Sequence, residues 1–448
     1  MMNAARSLHL FALVHAIRLA QAWEYTFPEN WPLNWTPQLQ ETPVVADVCT
    51  TSHLTAYETA APGSEIWLST SPLDDFEAPK ILPLNSSSGE QWEFDGVSDD
   101  GMNAFIFGLY RDPGLSLMGT GNLRISAELA YANGTRWGRV DYASDSVVES
   151  CPHGTKGAWT GSDFSYRFEI SKDMSRVKLE VDTPDLKGII FLKSKTLPRY
   201  ADASTWPSEN ASTAIAPHFH WVEPIPVGDV QVDLVAKGQR FAWQGLGGHN
   251  RLWSPFNWFT CLKAMNAVRM TAGPYSLSYM RFTSRIADGQ DFTSVLLMHG
   301  AEKIFSSTLG HASPVDDYVL MTKTYGGAVT GTLRDKVTGY ELELVSPARN
   351  QHWTFIIEHQ NIAFEYLVGK GRGGSGFSSS SSGGPVGLEQ FRGVALTEAL
   401  NFPDSSPLFK NQYFLFYVPL TCCCNWCTSM TRRMSKHLLS LGGVPGNF

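Results

Sequence analysis

The sequence predicts an all-β protein, and three observations carry that prediction. Apolar and polar residues alternate at period two in segment after segment. Gly, Pro and Asn turn signals separate these segments at short spacing, as sandwiches and barrels require. Sustained helical periodicity is scarce, and the stretch from Trp258 to Met270 is the best candidate for a helix. The chain has 448 residues. All-β domains commonly run to about 200–250 residues, so two β domains fit.

In chain order, residues 23–45 are rich in Pro and Trp and carry no period. Leu123, Ile125, Ala127, Leu129 and Tyr131 alternate as a half-buried strand. Asn133-Gly134 follows and predicts a tight hairpin, because both turn residues need positive φ. A second run extends from Trp137 to Val148. Phe164 to Ile170 and Val177 to Val181 alternate on either side of a Lys172-Asp173 turn. Ile189 to Leu192 reads as a doubly buried strand. Residues 194–217, with Pro198, Pro207 and Pro217, read as a long surface connection, and His218 to Pro226 as a domain junction. Strand signals resume at Val230 to Leu234, Tyr275 to Tyr279, Tyr340 to Val345, Trp353 to Glu358 and Ala363 to Val368. Gly369 to Gly384 holds five consecutive serines and reads as a flexible loop, before an ordered pattern from Phe391 to Leu400.

Composition excludes several classes. The net charge is -8, charged residues make up 17% and aromatics 12% of the chain. Mild acidity without a run of Lys/Arg argues against a nucleic-acid partner. No stretch of about 18 uncharged apolar residues occurs, so no spanning helix is expected. The aromatics suit a large core or an apolar ligand pocket equally. At the N-terminus, Arg6, the apolar run Leu8 to Leu19 and Ala20-Gln21-Ala22 read as a signal peptide over residues 1–22, with Arg18 as its flaw. Export would make Asn34, Asn85, Asn133 and Asn210 glycosylation acceptors, and the chain a resident of the secretory pathway or a secreted protein. Without a working signal it stays cytoplasmic. Cys49 and Cys151 either pair in an exported chain or remain buried thiols.

The motifs of familiar chemistry are weak or missing. Gly369-Lys-Gly-Arg-Gly-Gly374 matches a dinucleotide fingerprint, but Ser and Gly follow it where a helix is needed. His218 and His220, with His249 as a third ligand, would suit zinc or iron, yet Pro217 and the aromatic neighbours fit a structural junction better. No metal is expected. No nucleophile elbow, zincin motif or phosphate loop is present. Cys424-Asn-Trp-Cys427 lacks a thioredoxin-like setting, and the Cys-rich tail over 414–448 is expected to lie outside the fold. Glu93 and Asp95, two residues apart in Trp92-Glu-Phe-Asp95, share one face of a strand. There they either hold the polar head of a ligand or face solvent.

Four segments resemble one family: Gln244-Gly-Leu-Gly-Gly-His-Asn-Arg-Leu-Trp253, Trp92-Glu-Phe-Asp95, His220-Trp-Val-Glu-Pro-Ile-Pro226 and Phe391-Arg-Gly-Val-Ala-Leu-Thr-Glu398. They are similar to fungal Diels–Alderases, lipocalin-like pericyclases of polyketide–peptide hybrid pathways that are distantly similar to hydroxyneurosporene synthase-type hydratases. The resemblance covers roughly residues 40–412. It implies a sandwich or open barrel over 23–225 and a lipocalin-like barrel over 226–413, with the pocket between them. It implies an intramolecular [4+2] cycloaddition without metal or organic cofactor. The implied substrate is a linear polyene supplied by a polyketide synthase–peptide synthetase and its trans-acting partners, and the branch making cytochalasan isoindolone cores is the most similar. On this reading Trp221 is a pocket wall, Glu93 and Asp95 hold a polar heterocycle, and Glu65, His249, Asn250 and Trp353 complete the site. A non-catalytic carrier of an apolar ligand and an isoprenoid hydratase remain as alternatives; the hydratase would need a carboxyl of raised pKa.

Overall fold

The structure, a computed structural model, describes residues 48–61, 64–113 and 120–404. The leader, Asn34 and the Cys-rich tail lie outside the described residues. Within them the chain is all-β. The first sheet starts at Thr50–Thr55 and runs through Asp145–Cys151, Gly154–Thr160, Ser165–Ser171, Arg176–Asp182 and Leu186–Ser194. It continues through the long strands Phe219–Ala236 and Gln239–Ser254. It ends with Gly89–Ser98, Ala104–Arg111, Arg124–Ala130 and Arg136–Tyr142. The sheet curls into a half-barrel around a core that includes Trp92, Phe94, Trp159 and Phe168. A disulfide joins Cys49 to Cys151 and pins the edge strand to its neighbour.

The second sheet has nine strands, from Glu302–Ser307 at one edge to Tyr318–Thr324 at the other. It closes almost completely. Ser307 Oγ donates to the Asp317 carbonyl at 2.6 Å, and Val319 N–H to the Leu309 carbonyl at 2.9 Å. Leu277, Tyr279, Leu342, Trp353 and Phe355 fill its interior. Both Phe219–Ala236 and Gln239–Ser254 belong to the first sheet, so the chain changes sheets at 255–261. The boundary expected at 225/226 falls inside a strand. No helix among the described residues is long and apolar enough to cross a membrane.

Three sequence expectations need correcting. The helix expected from Trp258 to Met270 is one turn, Trp258–Cys261, followed by the strand Leu262–Ala272. That strand is buried on both faces: Leu262 and Met265 pack outside the barrel, Val268 and Met270 inside it. Its apolar residues therefore lose the period of two. The loop expected over Gly369 to Gly384 is mostly the central strand Arg372–Pro385, paired along its length on both sides. Its small residues make room for neighbours. A Cβ on Gly376 would lie 2.2 Å from the ring of Phe364. The connection 194–217 is not all surface, since Arg199 and Tyr200 are fully buried and pair with Phe219–Ala236.

A buried ionic chain joins the two sheets. Arg269, on the second sheet, donates from Nε and Nη2 to the two Asp95 oxygens at 2.9 and 3.0 Å. Its Nη1 donates to the Ile225 carbonyl at 2.9 Å and lies 3.5 Å from Glu223. Arg199 binds Glu223 at 2.5 Å and donates to Ser278 and Ser294 of the second sheet at 3.2 Å each. The sequence prepares this contact. Register shifts around Ile225, in the Pro224-Ile225-Pro226 stretch, break the pairing there, and such an irregularity leaves a carbonyl free for an outside donor. Gly248 supplies the space, because a Cβ there would lie 2.0 Å from the Arg269 guanidinium carbon.

Removing the cation would leave the buried Asp95 carboxylate without its partner, while Glu223 keeps Arg199. Arg269→Met is expected to lower unfolding stability by about 3–5 kcal/mol, read as a fall in the urea midpoint; an unchanged midpoint would mean the chain does not hold the sheets.

Candidate active site

Strand alternation decides which side chains reach the space between the sheets. On Gly89–Ser98, Trp92 and Phe94 point into the half-barrel core. Gln91, Glu93 and Asp95 point the opposite way, as the spacing predicts. The facing wall is the outer surface of the barrel. Register places Phe364, Gly376, Glu398, Ala267 and Met280 side by side across five strands. Small residues flank Glu398 on both sides, so the row is dented where its carboxyl sits.

Between these walls lies a cavity of about 140 Å³, with a lobe of about 30 Å³ beside it. Phe219, Leu252, Trp258, Leu262, Met265 and Phe402 give the larger space an apolar end. Trp221, Glu223 and Arg269 line the smaller lobe. Glu93, Asn250 and Glu398 border both. Three buried polar atoms here have no partner among the described residues: Trp221 Nε1, Trp258 Nε1 and Asn250 Oδ1. Unpaired buried polar atoms are uncommon in folded proteins and call for an explanation; a polar ligand supplies one.

The two acids differ in their surroundings. Glu93 accepts from Gln91 Nε2 at 2.5 Å and from Asn250 Nδ2 at 3.3 Å. Burial pushes its pKa up to about 7, the nearby Asp95 carboxylate adds to the rise, and the Asn250 amide, Arg269 and Gln91 oppose it. Glu398 has no hydrogen-bond or ion-pair partner among the described residues. Burial first, then Glu93 and Asp95, raise its pKa well above the usual carboxyl range. Only Glu93 has donors that stabilise its anion, so a proton shared between them resides on Glu398.

The other expected site residues separate into groups. Trp221 lines the smaller lobe, with the Arg199 guanidinium 4.5 Å from its ring centre. Asn250 stands beside Glu93. Asp95 borders the lobe, but Arg269 occupies both of its oxygens. His249 lies on the far face, stacked 4.1 Å from Phe94. Its Nδ1 donates to the Glu93 carbonyl at 2.7 Å, and its Nε2 sits 3.0 Å from both Glu77 oxygens. Trp353 packs against Phe305 inside the barrel. Glu65 is exposed. His218 packs on Phe256, and His220 contacts Thr213 and stacks on Trp253, so neither joins His249. Of the described sequons, Asn133 sits at an exposed hairpin tip, Asn210 is exposed and Asn85 is half-buried.

Glu398, Glu223, Arg269 and Arg199 were not singled out from the sequence. Glu223 carried a signal, since it is the one acid between Phe219 and Gly228, a mostly apolar stretch, and buried charges are almost always paired. Glu398 closes one of the family-like segments, but nothing in its spacing reveals that its carboxyl lacks a partner.

Comparison with known proteins agrees with this architecture. A family model described as Diels-Alderase-like matches residues 46–403. Diels-Alderase ffsF of Aspergillus flavipes is 52% identical over 396 residues, 88% of this chain and 96% of that protein. Diels-Alderase phmD of Phaeosphaeria nodorum is 56% identical over 348 residues, 78% of this chain and 97% of that protein. The crystal structure of CghA with Sch210972 shares the fold, with a TM-score of 0.70 at 24% identity, over 80% of this chain and 100% of that one. The chain belongs to the Diels-Alderase-like family and is a pericyclase of fungal secondary metabolism, catalysing a [4+2] cycloaddition.

Proposed function

We propose that the substrate is a linear polyene joined to an amino-acid-derived lactam of the pyrrolinone or tetramate type, and that its product carries a fused isoindolone core. The observation that carries this reading is the division of the cavity. An apolar end receives a hydrocarbon chain, and Glu93, Asn250 and Glu398 meet a polar head where the two lobes join. A polyketide synthase–peptide synthetase with its trans-acting partners is the class of enzyme that makes such a chain.

The reaction forms two carbon–carbon bonds and moves no proton, so the protein acts by arrangement. Folding the chain until diene meets dienophile is mainly an entropic cost, and good alignment is worth up to about 7–11 kcal/mol. Trp221 closes the smaller lobe and limits how the reacting ends approach. Glu93, ionised above about pH 7, accepts a hydrogen bond from the lactam N–H. Its ionisation improves binding, so kcat/KM rises as pH climbs through about 7. The same raised pKa removes folding stability over that pH range, since the native state holds the proton more tightly than the unfolded chain.

We further propose that the chain passes through the secretory pathway. The Cys49–Cys151 disulfide supports this, because such bonds form in oxidising compartments. The exposure of Asn133 and Asn210 is compatible with glycan attachment.

Glu93→Gln is expected to raise KM about 10-fold or more, the loss of one charged hydrogen bond, and to flatten the pH limb near 7. A retained limb assigns it to another group. Trp221→Ala is expected to erode stereoselectivity more than substrate binding, seen as a changed ratio of cycloadducts; an unchanged ratio would remove Trp221 from the site. Protein from its native source should lose mass on treatment with an amidase that removes N-linked glycans, and a mass matching the bare chain would refute export.

A further inference from the structure

The cavity holds one polar group that the assignments above leave without a task. Glu398 borders both lobes. It stands in the dent between Gly376 and Ala267. Its carboxyl meets no hydrogen bond or ion pair among the described residues. A polar side chain placed in a mostly apolar cavity without a partner costs stability. A ligand atom that completes its hydrogen bond recovers that loss.

We propose that Glu398 is the catalytic hydrogen-bond donor of this enzyme, giving its carboxylic O–H to the carbonyl conjugated with the dienophile. The inference rests on the lactam-polyene reading above and deepens it. Cycloaddition shifts electron density from diene to dienophile, and the carbonyl oxygen takes up part of it. A fixed donor at that oxygen is stronger in the transition state than in the ground state, which is the condition for raising kcat.

The surroundings keep the proton in place. The titratable and charged groups that line the two lobes with Glu398 are Glu93 and Asp95 on Gly89–Ser98, Tyr110 on Ala104–Arg111, Arg124 and Glu128 on Arg124–Ala130, Tyr142 on Arg136–Tyr142, Glu223 on Phe219–Ala236, Arg269 on Leu262–Ala272, Tyr279 on Tyr275–Ser284 and Tyr366 on Gln351–Gly369. Asp95 is neutralised by Arg269. Burial raises the phenols of Tyr110 and Tyr366 above their ordinary values, so both stay neutral. Arg124 lies 3.8 Å from the Tyr110 ring centre. Glu93 is the acid that ionises first. Its charge then makes ionisation of Glu398 harder still, so acceptor and donor coexist around neutral pH. A lactam offers the matching pair, an N–H and a carbonyl. No proton changes hands in the cycle: the O–H is shared with the carbonyl in the transition state and stays on Glu398 when the product leaves.

The test uses the full chain and a synthetic 3-acyl-3-pyrrolin-2-one carrying a diene chain, with a saturated-chain analogue labelled with carbon-13 at the acyl carbonyl. With wild-type protein the diene probe cyclises, and the labelled carbonyl resonance moves downfield on binding. Glu398→Ala should lower kcat about 100-fold, the typical effect of removing one oxyanion donor, with KM changed less than threefold and the downfield shift lost. Glu398→Gln keeps an N–H donor and should retain kcat within about tenfold of wild type. Wild-type kcat in Glu398→Ala, or equal losses in the Ala and Gln variants with unchanged thermal midpoints, would overturn the donor role. If wild-type protein neither binds nor cyclises the probe, the substrate reading falls and takes this inference with it. Binding and turnover by wild type with no effect of Glu398→Ala defeats the donor alone.

Discussion

The paired guanidinium of Arg269 and carboxylate of Asp95 set the distance between the two sheets. Apolar walls alone would close on each other, because burying their surface is favourable and non-directional. A buried ion pair behaves differently. Desolvation of its charges is offset only at good geometry, so it resists both separation and sideways slip. Here the pair extends through Glu223 to Arg199, which is itself bonded to Ser278 and Ser294 of the opposite sheet. Two cations and two anions alternate, and with the two serines the chain crosses the interface three times. The cavity beside it is therefore held open by electrostatics at one end, while hydrophobic packing closes it at the other.

The shape of that cavity depends on where side chains are missing. Gly376 allows Phe364 to lie across its strand, and Gly248 lets the Arg269 guanidinium reach Asp95. On the opposite wall, Glu93 sits in register with Gly108. Among the described residues the walls are mostly strands, and glycine placed within them shapes the space. For a cycloaddition this matters directly. The catalyst must favour one fold of a flexible chain over many others, and a rigid wall discriminates where a yielding one would adapt.

Much of the fold was legible because half-buried strands write their burial into the sequence at period two. The same rule placed Glu93 and Asp95 on one face. It failed where both faces are buried. Leu262 to Met270 shows no alternation because each side of the strand meets apolar packing, and its spacing then mimics a helix. Arg372–Pro385 failed for the opposite reason. Its glycines and serines look like a linker, since the bulk that makes it a strand belongs to its neighbours. The site was half legible. Trp221, Glu93 and Asn250 lie at the cavity, but His249 and Trp353 are aromatic residues absorbed by packing. Asp95 reaches the lobe already committed to Arg269. Those outcomes depend on contacts between distant segments, such as Glu77 with His249, which local spacing does not encode.

A carboxyl of raised pKa can serve two chemistries, and the setting of Glu398 separates them. Alkene hydration needs an acid that gives its proton away, forming a carbocation and leaving a carboxylate behind. That carboxylate would have to form beside ionised Glu93, with no hydrogen-bond donor to it among the described residues. The feature that holds the proton on Glu398 thus opposes full transfer, while leaving hydrogen bonding to an oxygen intact. An acid that shares its proton without losing it suits a reaction that redistributes electrons and transfers no atoms. The electrostatics of the carboxyl pair therefore suit cycloaddition better than hydration.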